Sequence, residues 1–145
     1  MKKILLLVSI PILVILFSTI GLLITKNTTN RLLKQENSKY ECYLNRTIYG
    51  TEVATIINKA INQNENNQVQ KDEKKHYIEN NENSIKIEIK MLTTGKTYPM
   101  EEIYNNDMTQ FVQNFNFIQF KCTKLEYHKS SGKVKKLLFE EVEEE

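Results

Sequence analysis

The residues able to do chemistry are few and scattered. There are two histidines, His76 and His128, and two cysteines, Cys42 and Cys122. No H-E-x-x-H, C-x-x-C, G-x-S-x-G or phosphate-loop pattern is present, and no nucleophile stands at a recognisable spacing from a base. His128 ends a strand-like segment beside Tyr127, where a surface histidine is expected rather than a catalytic one. The expectation is a protein that is not an enzyme and carries no cofactor. One metal-like pattern stands against this. Asn62, Asn64 and Asn66 alternate, Val69 follows, and Glu73 lies eleven residues after Asn62, as the ligands of an EF-hand calcium loop do. Asn67 replaces the turn glycine of that loop, and the three early ligands are neutral. The alternative reading is therefore a ligand- or ion-binding module that uses the Asn62–Glu73 loop, with calcium as the ion, or the sheet face. Cys42 and Cys122 are a candidate disulfide. It would close a loop of roughly 80 residues, for which the chain-entropy model gives about 4–5 kcal/mol. The other reading is two small, buried, apolar thiols.

These residues must be positioned by elements, and the first element is apolar. Ile4–Thr25 carries no charge and follows Lys2 and Lys3. It is long enough to cross the roughly 30 Å hydrocarbon core of a bilayer as a helix. It is longer than the apolar run of a signal peptide, and no A-x-A-like site follows it, so a retained anchor is favoured over a cleaved signal. Lys2 and Lys3 before the span nearly balance Lys26 and Arg31 after it. The two-lysine start resembles an export signal, which places the N-terminus in the cytoplasm and the domain outside. The expected partners are the lipid bilayer, through residues 4–25, and a protein.

The 145 residues hold 20 basic and 18 acidic side chains. Setting aside Lys2, Lys3 and Lys26 leaves 17 basic against 18 acidic, a near-neutral domain that argues against nucleic acid as a partner. Four glycines give little material for phosphate-cradling loops.

Along the chain, Asn27–Tyr49 reads as a helical stalk, with Leu33, Tyr40, Tyr43, Leu44 and Ile48 at helical spacings. Gly50 interrupts it. Thr51 is a plausible N-cap for a helix whose Val53, Ile56, Ile57, Ala60 and Ile61 form one apolar stripe. Gln63–Lys75 is polar and unpatterned and reads as a loop. Ser84–Met91 alternates strictly, so Ile85, Ile87, Ile89 and Met91 face a core while Lys86, Glu88 and Lys90 face water. His76–Ile78 is a candidate hairpin partner for it. Thr93–Lys96 is a turn, Pro99 opens a short helix, and Asp107 caps another with Met108, Phe111, Val112 and Phe115 inward. Phe117–His128 and Lys133–Val142 read as a hairpin about Ser130–Gly132. A bulge at Thr123–Lys124 reconciles the phase of Phe120 and Cys122 with that of Leu125. The glutamate-rich end reads as a solvated tail.

The segments Gly50–Met91, Lys96–Asn106 and Phe120–Glu140 resemble a group of small, N-terminally anchored, extracytoplasmic proteins of Gram-positive bacteria. The resemblance implies a shared fold and lends no activity. The layout of an apolar helix running into a sheet is also similar to that of type IV pilins and pseudopilins, whose processing site and following glutamate are missing from Met1–Thr25. The resulting expectation is an α+β protein: an anchor over 1–26, a juxtamembrane stalk over 27–50, and a domain over 51–145 in which a helix packs on an antiparallel sheet. Its expected role is an extracytoplasmic interaction or envelope-assembly subunit.

Overall fold

The computed structural model describes the backbone of residues 2–143 and the side chains of residues 13–143. The last two residues of the expected tail, 144 and 145, lie outside it. The chain divides into two compact units, Met1–Glu36 and Asn37–Glu145. Helix α1, Lys2–Glu41, provides the first unit and ends in the second. Among the described residues no helix is long and apolar enough to cross a membrane; residues 4–12 of the expected span lie outside the described side chains.

The helix expected to reach Tyr49 stops at Glu41. Tyr43 and Leu44 turn back onto the carbonyls of Tyr40 and Glu41, and Asn45 takes a left-handed φ of 62°, which asparagine tolerates well. The chain then reverses into strand β1, Thr47–Tyr49, where β-branched residues suit pairing. Helix α2, Gly50–Asn66, follows directly. Its N-cap is Tyr49, with no side-chain cap, and Thr51 lies inside the helix rather than capping it. Gly50 is required at this start, because a Cβ there would stand 2.1 Å from the carbonyl oxygen of Phe115.

The five-stranded sheet is mixed, which corrects the expected antiparallel one. Strands β2 (Lys86–Lys90), β3 (Thr97–Pro99), β4 (Gln119–Tyr127) and β5 (Val134–Glu141) join β1 in the order β1-β4-β5-β2-β3. All pairings are antiparallel except β2 with β5. Alternation in a sequence reports which face a residue takes, not its neighbour's direction. Here β3, helix α3 (Met100–Phe115) and β4 form the crossover between the two parallel strands. His76–Ile78 does not form a hairpin with β2; Tyr77 makes only an isolated bridge to Lys71. The hairpin of β2 is with β3, through the expected turn, where Gly95 has a φ of 63°. The bulge expected at Thr123 is present as a register shift between Cys122 and Lys124. Glu140 and Glu141 of the expected tail are part of β5.

Helices α2 and α3 pack against each other and on the sheet. The α2 stripe of Val53, Ile56, Ile57, Ala60 and Ile61 is buried in one core with Ile85, Ile87, Ile89, Phe120, Leu137 and Phe139. The reading of Gln63–Lys75 as loop is corrected in part, because α2 continues to Asn66. It does so because Asn64 has a partner inside. Its Nδ2 donates to the Ile85 carbonyl and its Oδ1 accepts from the Ile85 N–H, both at 2.8 Å, where a neighbouring strand would otherwise bond.

Ile57→Ala is expected to cost about 2–5 kcal/mol in denaturant unfolding, as a fully buried large-to-small change does. Asn64→Ala is expected to cost about 3 kcal/mol, since it leaves two buried backbone groups of Ile85 unpaired at roughly 1–3 kcal/mol each. A loss below about 0.5 kcal/mol, typical of surface sites, would contradict either assignment.

Candidate functional site

The residues singled out in the sequence are not brought together. Asn62, Asn64 and Asn66 lie on α2, where alternate residues point in different directions, and Glu73 lies in the following loop. The carboxamide of Asn64 is fully buried and committed to Ile85. On this helix the three asparagines are spread around the axis and do not follow one another along a loop. Among the described residues no group of three or more His, Cys, Asp or Glu side chains gathers to hold a metal.

His128 is buried rather than at the surface, with Nε2 2.6 Å from the Ser84 carbonyl. It borders an open cleft of about 800 Å³ that also contains Glu79 and Glu126 but not His76. Several other groups of the cleft are engaged. Lys135 bridges Glu79 at 3.1 Å and Glu126 at 3.6 Å, and Lys124 holds Glu126 at 2.6 Å. The Lys124 hydrogen bond keeps the Glu126 carboxyl below its ordinary range. The Ser130 hydroxyl donates to the Asn81 carbonyl, so it is not aligned on the histidine. On the wet face of the sheet, Lys136 pairs with Glu88 and Lys90 with Glu140, both at 2.7 Å. This surface is a lattice of matched charges, not a basic patch.

Both cysteines are free. Cys42 is exposed and Cys122 is buried on β4, where burial pushes its thiol up to about 11.

A groove lies at the bend of α3, and the sequence reading contains the residue at that bend. Asn105, Asn106 and Asp107 are poor helix formers. At Asp107 the backbone leaves the helix, with φ 142° and ψ 100°. Its Oδ1 accepts from the N–H groups of Thr109 at 2.8 Å and Gln110 at 3.3 Å, so Asp107 caps a second helical segment as expected. Pro99, expected as the first helical residue, is instead the N-cap of α3 and the last residue of β3. The second segment of α3 is fixed by an aromatic cluster. Phe111 stacks on Phe115 at 5.1 Å between centroids, and both rings lie near Phe120, at 6.4 and 6.2 Å.

The groove holds about 320 Å³ and draws on both segments of α3 and on the β2–β3 hairpin. Its apolar lining is Met91, Tyr98, Ile103, Phe111 and Phe115. Its polar lining includes Glu102, Asn106, Asp107, Gln110 and Asn114, all exposed. The charged lining groups are both acidic. The volume lies at the lower end of ligand-sized pockets, roughly 300–1,000 Å³. No serine, cysteine or histidine is among its lining residues. The groove can hold an apolar group and surround it with carboxylates and carboxamides.

Fold and groove together define an α+β domain of two helices on a mixed sheet, with a groove at a helix bend. No family model, curated protein or solved structure matches the chain.

At pH 8 the Cys122 thiol, raised to about 11 and buried, is expected to stay protonated and unreactive while Cys42 reacts. Mass spectrometry after N-ethylmaleimide should show one adduct on the folded chain and two after denaturation. Two adducts at equal rates on the folded chain would contradict the burial of Cys122.

Proposed function

We propose that the chain is a single-pass membrane protein whose Asn37–Glu145 unit works outside the membrane as an interaction or envelope-assembly subunit, without catalysis. The observation that carries this reading is the charge-free Ile4–Thr25 stretch within α1. Nine large apolar side chains between Leu13 and Ile24 are exposed, from 46% to 71%. A helix apolar on every side and uncovered by protein suits lipid. The hydroxyls of Ser18, Thr19 and Thr25 turn back onto the carbonyls of Ile15, Leu16 and Gly21 at 2.8–2.9 Å, which removes their need for water. The two lysines before the stretch favour a cytoplasmic N-terminus, and the resemblance to small anchored proteins of Gram-positive bacteria supports the same arrangement. On this reading the domain acts by binding. The α3 groove favours a second reading, a ligand-binding module, and supplies the recognition surface in either case.

In a Gram-positive host the full chain is expected to resist alkaline extraction from membranes. Protease added to intact protoplasts should remove the domain and leave the N-terminal segment in the membrane. Release into the alkaline supernatant, a domain protected from the added protease, or a mature chain beginning near Lys26 would each count against the reading.

A further inference from the structure

We propose that the α3 groove binds an extended peptide segment carrying an aromatic or large aliphatic side chain next to a lysine or arginine. The inference rests on the reading of the domain as an interaction module and assigns the chemistry of what it binds. The apolar side of the groove, with Ile103 and Phe111 at its buried end, gains from removing one large apolar side chain from water. Its volume of about 320 Å³ suits one such anchor rather than a folded surface.

The rim sets what must accompany that anchor. Glu102 and Asp107 are its charged groups, and no lysine, arginine or histidine lines the groove. An anionic ligand would meet two like charges, whereas a cation beside the anchor would meet two exposed carboxylates of opposite charge. Three carboxamides, Asn106, Gln110 and Asn114, follow one another at intervals of four residues along α3. Each carboxamide offers a donor and an acceptor, the pair that an extended main chain also presents. That pairing favours a peptide over a lipid, whose tail offers nothing to bond. Asp107 adds a further reason. Its φ of 142° is a conformation that non-glycine residues rarely hold, and such positions cluster at ligand clamps.

The test uses the full chain in lipid nanodiscs with ¹³C-methyl labels on methionine and isoleucine. The probes are acetyl-Phe-Arg-amide, acetyl-Phe-Glu-amide and acetyl-Ala-Arg-amide. The Phe-Arg probe is expected to shift the Met91 and Ile103 signals saturably and to leave Ile57 and Ile61 in place. It should bind about tenfold more tightly than either of the others, the equivalent of one good contact for the cation and one for the ring. Glu102→Gln, at an exposed position, should weaken it by about as much, with unchanged Ile57 and Ile61 signals showing that the core is intact. No saturable shift, equal binding of the Phe-Glu or Ala-Arg probe, or full affinity in Glu102→Gln would overturn the proposal. Binding can fail while the chain still resists extraction and is shaved from outside, so the two readings fall separately.

Discussion

The backbone at Ser84 and Ile85 is where side chains do the work of a strand. Just before β2, Asn64 of α2 satisfies both polar groups of Ile85, and His128, after β4, reaches the Ser84 carbonyl. Strand β2 lies between β5 and β3 and sends Ile87 and Ile89 into the core. A slip of one residue would exchange those side chains for Lys86 and Glu88. The register of the sheet interior therefore depends on a carboxamide and an imidazole that fix where the strand begins. The loop before it is held by the same kind of contact. Asn80 Oδ1 accepts from the N–H groups of Glu82, Asn83 and Ser84, and the hydroxyls of Ser130 and Ser131 donate to the carbonyls of Asn81 and Glu82.

The hairpin turn that supplies those serines is itself tied down. Asn37, in the last part of α1, donates to the Gly132 carbonyl at 2.9 Å and accepts from the Val134 N–H at 3.0 Å. Tyr127 donates to Glu41 at 2.8 Å. The end of α1, the β4–β5 turn and the entry to β2 thus form one polar junction. The bend of α3 is supported differently, by stacked rings and by the close seat of Gly50 against Phe115. The α3 groove and the polar junction can therefore respond to change separately.

What was legible in the sequence was local. Strict alternation marked Ser84–Met91, helical spacing marked the α2 stripe, a phase slip marked the bulge at Thr123, and Asp107 was readable as a cap. What escaped depended on partners distant in the chain. The parallel pairing of β2 with β5 leaves no trace in either strand's own pattern. Strand β3 has three residues, too few for periodicity to show. The alternating asparagines looked like ligands because polarity read along a line cannot say that Asn64 alone turns inward. His128 looked like a surface residue because the carbonyl that accepts its hydrogen bond lies 44 residues away. The groove was invisible as a site, since its apolar lining comes from three separate stretches of chain, although the residue that bends the helix over it was in plain view.

The asparagine clamps also govern how this chain ages. An asparagine deamidates when the backbone nitrogen of the next residue attacks its side-chain carbonyl, which requires both to turn freely. At Asn83 that nitrogen, of Ser84, is bonded to Asn80 Oδ1 at 2.9 Å, and the Asn83 carboxamide oxygen accepts from Asn80 Nδ2 at 2.8 Å. Asn64 is held at both ends of its carboxamide and is fully buried. Conversion of Asn64 to aspartate would set a carboxylate against the Ile85 carbonyl in the core, a change that unfolds rather than merely alters charge. Chemical wear is thereby directed to the exposed asparagines, such as those on the groove rim, and the spontaneous lifetime of the domain is set by its surface and not by the joint that fixes its sheet.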